Sequence, residues 1–361
     1  MRDTSCNDEC VPAPSRVLLV VAHGGAGGMQ VQVALLARGL AAHGCEVVVA
    51  SGPGSLDAGD VEVAELPALT ARSALGVARA LRGVVRRIDP GVVHGHGLRL
   101  APILALAAPG RSLVTCHGVD PERAKRTAAL VRLTRVKVAS CGEGPRRLLA
   151  AAGLASRVLD NAVPDMPEPI GRDELAATFG LDPVTTLAVS PARLSPQKDP
   201  ITLVRAVARA SGVSAVLVGG GPLDSEVRGE VARLGLEGRV AVSAWRPDAR
   251  RLLAGADVLA LASVWEGQPT VVLEAMRAGV AVVATAAPGT RDTIVDGVTG
   301  LLTPVGNPDA LGDALSRVAA DAALRSRLSA AGRASAEDHT VDVVVAEHLD
   351  AYRRLCAGRW P

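Results

Sequence analysis

One stretch, WEGQPTVVLEAMRAGVAVVAT at 265–285, limits the fold of this chain more than any other. It follows an apolar run at 257–261 with the length of a buried strand, and it closes on a second such run at 280–284. Between the two lie a loop carboxylate, Glu266, and a proline, Pro269, suited to opening a helix because a first-turn N–H has no intrahelical partner to lose. Strand, loop, helix and strand form a βαβ unit, which implies a parallel sheet covered on both faces. Ligands of such sheets sit at the carboxyl ends of the strands. At that end, the free N–H groups and positive dipole of a helix start suit a phosphate.

The amino half begins with the same device. RVLLVVA at 16–22 reads as a buried strand, the loop HGGAGGMQ follows, and helical spacing of apolar residues runs from 31 to 42 before a second strand at 46–50. Gly24, Gly25, Gly27 and Gly28 allow close approach of backbone to an anion. Their spacing is not GxGxxG, and the second strand ends in Ser51 where a dinucleotide enzyme needs an acid for the ribose, so a dehydrogenase is disfavoured. Strands are expected at 91–94 and 112–116, each followed by a histidine-bearing loop, His94-Gly95-His96-Gly97 and His117-Gly118. Three histidines raise a zinc reading. It is opposed by the absence of a carboxylate or cysteine at ligand spacing, and by the expectation that His94 and His96 point to opposite sides of an extended chain. No metal site is therefore expected. His117 stands at a strand's carboxyl end, where it is either a functional group or a histidine bonded to backbone.

The segment DNAVPDMPEPIG at 160–171 breaks all periodicity and reads as a linker. After it the alternation restarts, with strands at 185–189, 214–218 and 239–243 and helices at 201–210 and 223–234. The expected layout is a polar tail at 1–15, a first α/β domain at 16–165, a second at 166–340, and a C-terminal helix in 341–361 that packs back toward the first. Aromatics make up 1 % of the chain against 48 % hydrophobic residues, so Val, Leu and Ala must fill both cores. After the first strand of the second half comes SPARLSPQKDP, with Arg193 and Lys198 in one loop. Two cations beside a helix start match a diphosphate bound without metal.

The net charge of +2 gives no case for nucleic acid. Residues 1–165 nevertheless hold 19 Lys and Arg against 14 Asp and Glu, and many of the cations fall between Arg123 and Arg147. That run reads as a solvated helix face or as a patch for an anionic membrane surface or acidic acceptor. Six cysteines without metal spacing, and a polar start, lead to the expectation of free thiols in a cytoplasmic protein, peripheral at the inner membrane face at most. No apolar run reaches the length of a spanning helix.

With these residues assembled, the chain resembles the retaining glycosyltransferases of the GT-B fold, family 4 or group 1. Four motifs of the second half occur in the family's order: SPARLSPQKDP, VGGGP at 218–222, EGQPTVVLEAM at 266–276 and VDGVTGLLTP at 295–304. The first half agrees through GGMQVQVALLARGLAAHGCEVVV at 27–49, VVHGHG at 92–97 and TCHG at 115–118. The resemblance implies two doubly wound Rossmann-like domains facing a cleft. It also implies transfer of a hexose or N-acetylhexosamine from a nucleotide-diphosphate sugar to an acceptor hydroxyl, with neither metal nor cofactor. Carried over residue by residue, it assigns the donor diphosphate to Arg193 and Lys198 and the ribose to Glu274. Glu266 falls to the sugar's 3- and 4-hydroxyls and His117 to its 6-position. The backbone from Gly267 and Gln268 through Pro269, Thr270 and Val271 would cap the distal phosphate. Gly27 and Gly28 would let the first-domain loop close over the donor, and Gly219, Gly220 and Gly221 would keep the cleft wall low.

Three positions depart from the family pattern. Gln268 stands where an aromatic is common, Asp292 where glutamate is, and Ala162 where Asn-Gly is. An epimerase or phosphorylase on the same fold, or a non-catalytic sugar-nucleotide sensor, are the rival readings. Three lysines in all give a phosphorylase's pyridoxal phosphate little to use. The acceptor, whether small molecule, glycan or lipid-linked, has no code in the sequence.

Overall fold

A computed structural model describes residues 12–24, 27–54 and 56–360; most of the expected polar tail, Gly25, Cys6 and Cys10 lie outside the described residues. Among the described residues, thirteen strands form two sheets. The first contains β1 (Arg16–Val21), β2 (Glu46–Ser51), β3 (Glu62–Glu65), β4 (Val92–His96), β5 (Ser112–Cys116), β6 (Lys137–Ser140) and β7 (Arg157–Val158), in the order β3-β2-β1-β4-β5-β6-β7. The second contains β8 (Thr186–Pro191), β9 (Val213–Val218), β10 (Val240–Ser243), β11 (Val258–Leu261), β12 (Ala281–Thr285) and β13 (Leu301–Thr303), in the order β10-β9-β8-β11-β12-β13. Neighbouring strands pair in parallel, Leu19 with Val49 and His94 on its two sides, Leu259 with Val282 and Val189. Each sheet reverses its winding once, between β1 and β4 and between β8 and β11, and crevices open at such points.

The central strands are apolar without alternation because both faces are covered. On one face of the first sheet lie the helices Ala74–Ile88, Ala101–Ala107, Ala124–Thr134 and Glu143–Ala151, whose Leu81, Leu104, Val131 and Leu149 pack with Val20, Val93 and Val114. The other face carries Gly28–Ala42 and the C-terminal helix Val341–Cys356, with Leu36, Leu40, Val345 and Tyr352 against Val17, Leu19 and Leu113. The two helices approach closely at Gly39, where an added Cβ would lie 2.5 Å from Val345 Cγ2. The last helix, although it follows the second sheet in sequence, is thus part of the first sheet's core. Linker and return crossing touch where Val163 N donates to His339 O (2.8 Å). Both ends of the buried Gln32 amide hold the linker at Ala162, at 2.7 and 2.8 Å.

One expectation is overturned here. β4 runs through His96, so His94-Gly95-His96 is strand and not loop. His94 and His96 share a face, as positions i and i+2 of a strand must, with ring centroids 4.3 Å apart. Gly95 between them faces the opposite helices, where a Cβ would stand 2.6 Å from Leu104 Cδ1.

Candidate active site

The loops after β8 and β11, at the second sheet's reversal point, are knitted together. Val264 N donates to Gln197 O (2.8 Å), and the Gln197 amide donates back to Trp265 O (3.0 Å). This places Lys198 against Glu266, with Nζ to Oε1 at 2.5 Å, and Ser263 Oγ donates to the same oxygen at 2.6 Å. Glu266 is 6 % exposed. Its carboxylate therefore relies on these charge-assisted contacts in place of water. Arg193, by contrast, is exposed and makes no ion pair among the described residues. Of the two loop cations, only Lys198 is held in place.

The glycines after β9 have a local cause. A Cβ on Gly219 would sit 2.1 Å from Ala192 O, and one on Gly221 would sit 2.3 Å from Leu194 O. These residues let the β8 and β9 loops run against each other, while Gly220 faces open space with nothing within 4 Å. Two residues past β10, Trp245 is 58 % exposed. Its sequence signal is rarity alone, as one of five aromatic residues in the chain, and sequence reasoning made no use of it.

The helix Thr270–Arg277 starts behind Pro269, and its first turn closes with Val272 N donating to Pro269 O (3.0 Å). Among the described residues, the amides of Thr270 and Val271 donate to no backbone acceptor. The start of the 15-residue helix Gly28–Ala42 faces this point from the first domain, so that a Cβ on Gly28 would lie 3.9 Å from Thr270 Oγ1. Two helix N-termini, one per domain, thus converge on one gap, and their dipoles favour an anion there. One turn further along, Glu274 is buried and accepts from Arg250 Nε at 3.0 Å. Burial raises its pKa, and Arg250 opposes the rise.

The first-domain side of the gap is neutral. His117 Nε2 and His96 Nδ1 share a hydrogen bond of 2.9 Å, and the two rings stack at 5.1 Å. Burial, and then repulsion from His348, lower the His117 pKa to about 4; burial brings His348 to about 4 as well. His94 uses both nitrogens, Nδ1 with Tyr352 Oη and Nε2 with Thr115 Oγ1, each at 2.7 Å. Three histidines do come together, but their nitrogens are largely committed to one another and to hydroxyls. Among the described residues no group of His, Cys, Asp and Glu is arranged to hold a metal ion.

The two domains meet at Gly267. A Cβ there would lie 2.2 Å from His117 O and 3.0 Å from Cys141 Sγ. Beside it, the Gln268 side chain faces the linker and not the gap. It donates to Asp160 Oδ1 (2.9 Å) and accepts from Asn161 N (2.7 Å). The departure from an aromatic at this position therefore bears on the contact of the second domain with the linker. Asp292 pairs with Arg147 of the first domain, and its carboxylate also accepts from Gly289 N.

Residues 172–335 match the family described as glycosyl transferases group 1, and residues 26–160 match glycosyltransferase family 4. The chain is 32 % identical over 158 residues to the lipopolysaccharide core biosynthesis glycosyltransferase LpsE of Rhizobium meliloti, a match covering 44 % of this chain and 46 % of that protein. It thus spans about half the length of that relative. It is 29 % identical to the D-inositol 3-phosphate glycosyltransferase of Xylanimonas cellulosilytica, over 93 % of this chain and 94 % of that one. The Anabaena protein HepE, solved in complex with UDP-glucose, shares the fold with a TM-score of 0.80 at 22 % identity, over 93 % of this chain and 99 % of that one.

Proposed function

The chain belongs to the group 1, family 4 glycosyltransferases of GT-B fold, and on that premise we propose that it moves a hexose or N-acetylhexosamine from a nucleotide-diphosphate sugar to an acceptor hydroxyl with retention of configuration. The observation that carries the reading is the convergence of two helix starts, at Gly28 and Thr270, with Lys198 held on Glu266 in the loop that leads into the second of them. Such a site fits a diphosphate. The free Thr270 and Val271 amides take the distal phosphate, and Arg193 closes on it from solvent. Glu274, oriented by Arg250, accepts from the ribose hydroxyls. Trp245, on the same sheet edge, offers a face for the base.

In this reading the C1–oxygen bond to the diphosphate breaks as charge accumulates on the leaving phosphate. Lys198 and the helix-start amides stabilise that charge without reorganising. Glu266 is held by Lys198 and Ser263, so it accepts hydrogen bonds from the sugar hydroxyls and does not attack the anomeric carbon. His117 contacts the 6-position from the neutral side. The acceptor oxygen then bonds to C1 on the face the diphosphate leaves, and its proton passes to a phosphate oxygen. The protein supplies the countercharge, so a divalent ion is not required.

The test is calorimetric titration with UDP, GDP and their sugars, followed by nucleotide release with and without acceptor extracts, in the presence of EDTA. Acceptor-dependent release in EDTA supports the proposal. Failure to bind any nucleoside diphosphate would overturn it, and so would a trapped glycosyl adduct on a side chain.

A further inference from the structure

The helices Ala74–Ile88, Ala101–Ala107 and Ala124–Thr134 lie side by side on one face of the first sheet, and not one of them contains Asp or Glu. Their outer surface shows Arg79, Arg82, Arg86, Lys125, Arg126 and Arg132 exposed. The first five have no hydrogen-bonded or ionic partner among the described residues. Between them stand leucines that the core does not use: Leu75 at 76 % exposure, Leu106 at 53 %, Leu130 at 64 % and Leu133 at 82 %. The surface therefore differs from the basic run expected at 123–147. Arg123, Arg146 and Arg147 of that run are paired with Asp120, Glu143 and Asp292, while three arginines some forty positions earlier join the remainder.

We propose that this three-helix face docks on an anionic lipid bilayer. Unpaired cations meet the charge of acidic headgroups, and leucines standing among them enter the boundary between headgroups and acyl chains. Charge alone would suit any polyanion. Exposed leucines do not suit nucleic acid, and the face carries no aromatic on which a base could stack. The opposite face of the same sheet is different in kind, for its C-terminal helix mixes Asp342, Glu347 and Asp350 with its arginines.

The test uses the whole protein and vesicles, with no sugar donor, so it stands apart from the transfer reaction. The protein should sediment with phosphatidylcholine–phosphatidylglycerol vesicles, stay in solution with phosphatidylcholine alone, and be largely released at an ionic strength of about 0.5 M as screening shortens. Each cation near such a surface strengthens binding about fivefold, so Arg79→Gln, Arg82→Gln and Arg86→Gln together should weaken it at least about tenfold. Leu130→Gln with Leu133→Gln should weaken it as well, leaving wild-type melting in both variants. Equal partition onto neutral and acidic vesicles overturns the proposal. Unchanged binding by the triple arginine variant does so too, as does capture of heparin or single-stranded DNA without capture of vesicles.

Discussion

At the second sheet's carboxyl edge, a lysine and two carboxylates are held in ionic contacts, Lys198 on Glu266 and Arg250 on Glu274. At the first sheet's facing edge, His96 and His117 are held neutral by burial, beside glycines with no side chain at all. Both edges come from the same βαβ repeat, so the difference lies in the side chains set at the strand ends, the loops and the helix starts. It teaches that, in the proposed reading, one domain brings charged side chains to the donor and the other a helix start and buried neutral histidines. Charge on both sides of so narrow a gap would need counter-ions or ligand to offset its desolvation.

The comparison breaks most directly at Lys198. Lys198→Ala should lower transfer by about a hundred- to a thousandfold, as removal of a preorganised donor does. It should also lower stability by roughly 3 kcal/mol, because Glu266 is left buried without its counter-ion. Lys198→Met with Glu266→Gln should restore the melting temperature but not turnover; normal turnover in Lys198→Ala would refute the allocation. Next, Gly267→Ala forces a methyl against His117 O and shifts the two edges apart. Steady-state kinetics should show a loss of about a hundredfold, the scale of an ångström's misplacement.

The neutral edge is tested by pH. His117 and His348 have folded pKa values of about 4 against 6.5 unfolded, so the unfolded chain binds more protons between those values. Stability is then full above 6.5 and falls as pH drops toward 4, by about 2 kcal/mol at pH 5 for His348 alone. Melting curves at pH 7.5 and 5 check this, and an unchanged midpoint would contradict it. His117→Ala removes one neutral hydrogen bond from the donor, a loss of about tenfold in kcat/KM. The smallest effect is expected at Gly220→Ala, where open space predicts a change of less than about twofold in either stability or rate. A large loss there would mean that this glycine faces ligand after all.

Much of this architecture can be read from residue patterns alone, because buried parallel strands such as β1, β9 and β12 are short continuous apolar runs between turn signals. β3 escapes such a reading. Its sequence EVAE is polar, as suits an exposed edge strand. Loops at the reversal points can also be located in advance, which is why Arg193, Lys198, Glu266 and Glu274 stand out. What pattern cannot supply is which side chain meets which across a long separation. Lys198 and Glu266 are 68 positions apart, and their contact means that Lys198 is shared where two free cations were expected. Gln268 and Asp160 are 108 apart, and their bond turns the Gln268 side chain to the linker. The error over His94 and His96 was of another kind, a misjudged strand end compounded by a misapplied period of two.

The return of the C-terminal helix has a consequence for synthesis on the ribosome. Tyr352 meets His94 across 258 positions, and Val345, Leu349 and Leu355 fill the core beneath β1. At typical translation rates, roughly ten to fifty seconds separate the emergence of those partners. The domain made first is therefore the last to be finished. For that interval its histidine-bearing face lies bare while the second domain, complete in sequence, is free to fold ahead of it.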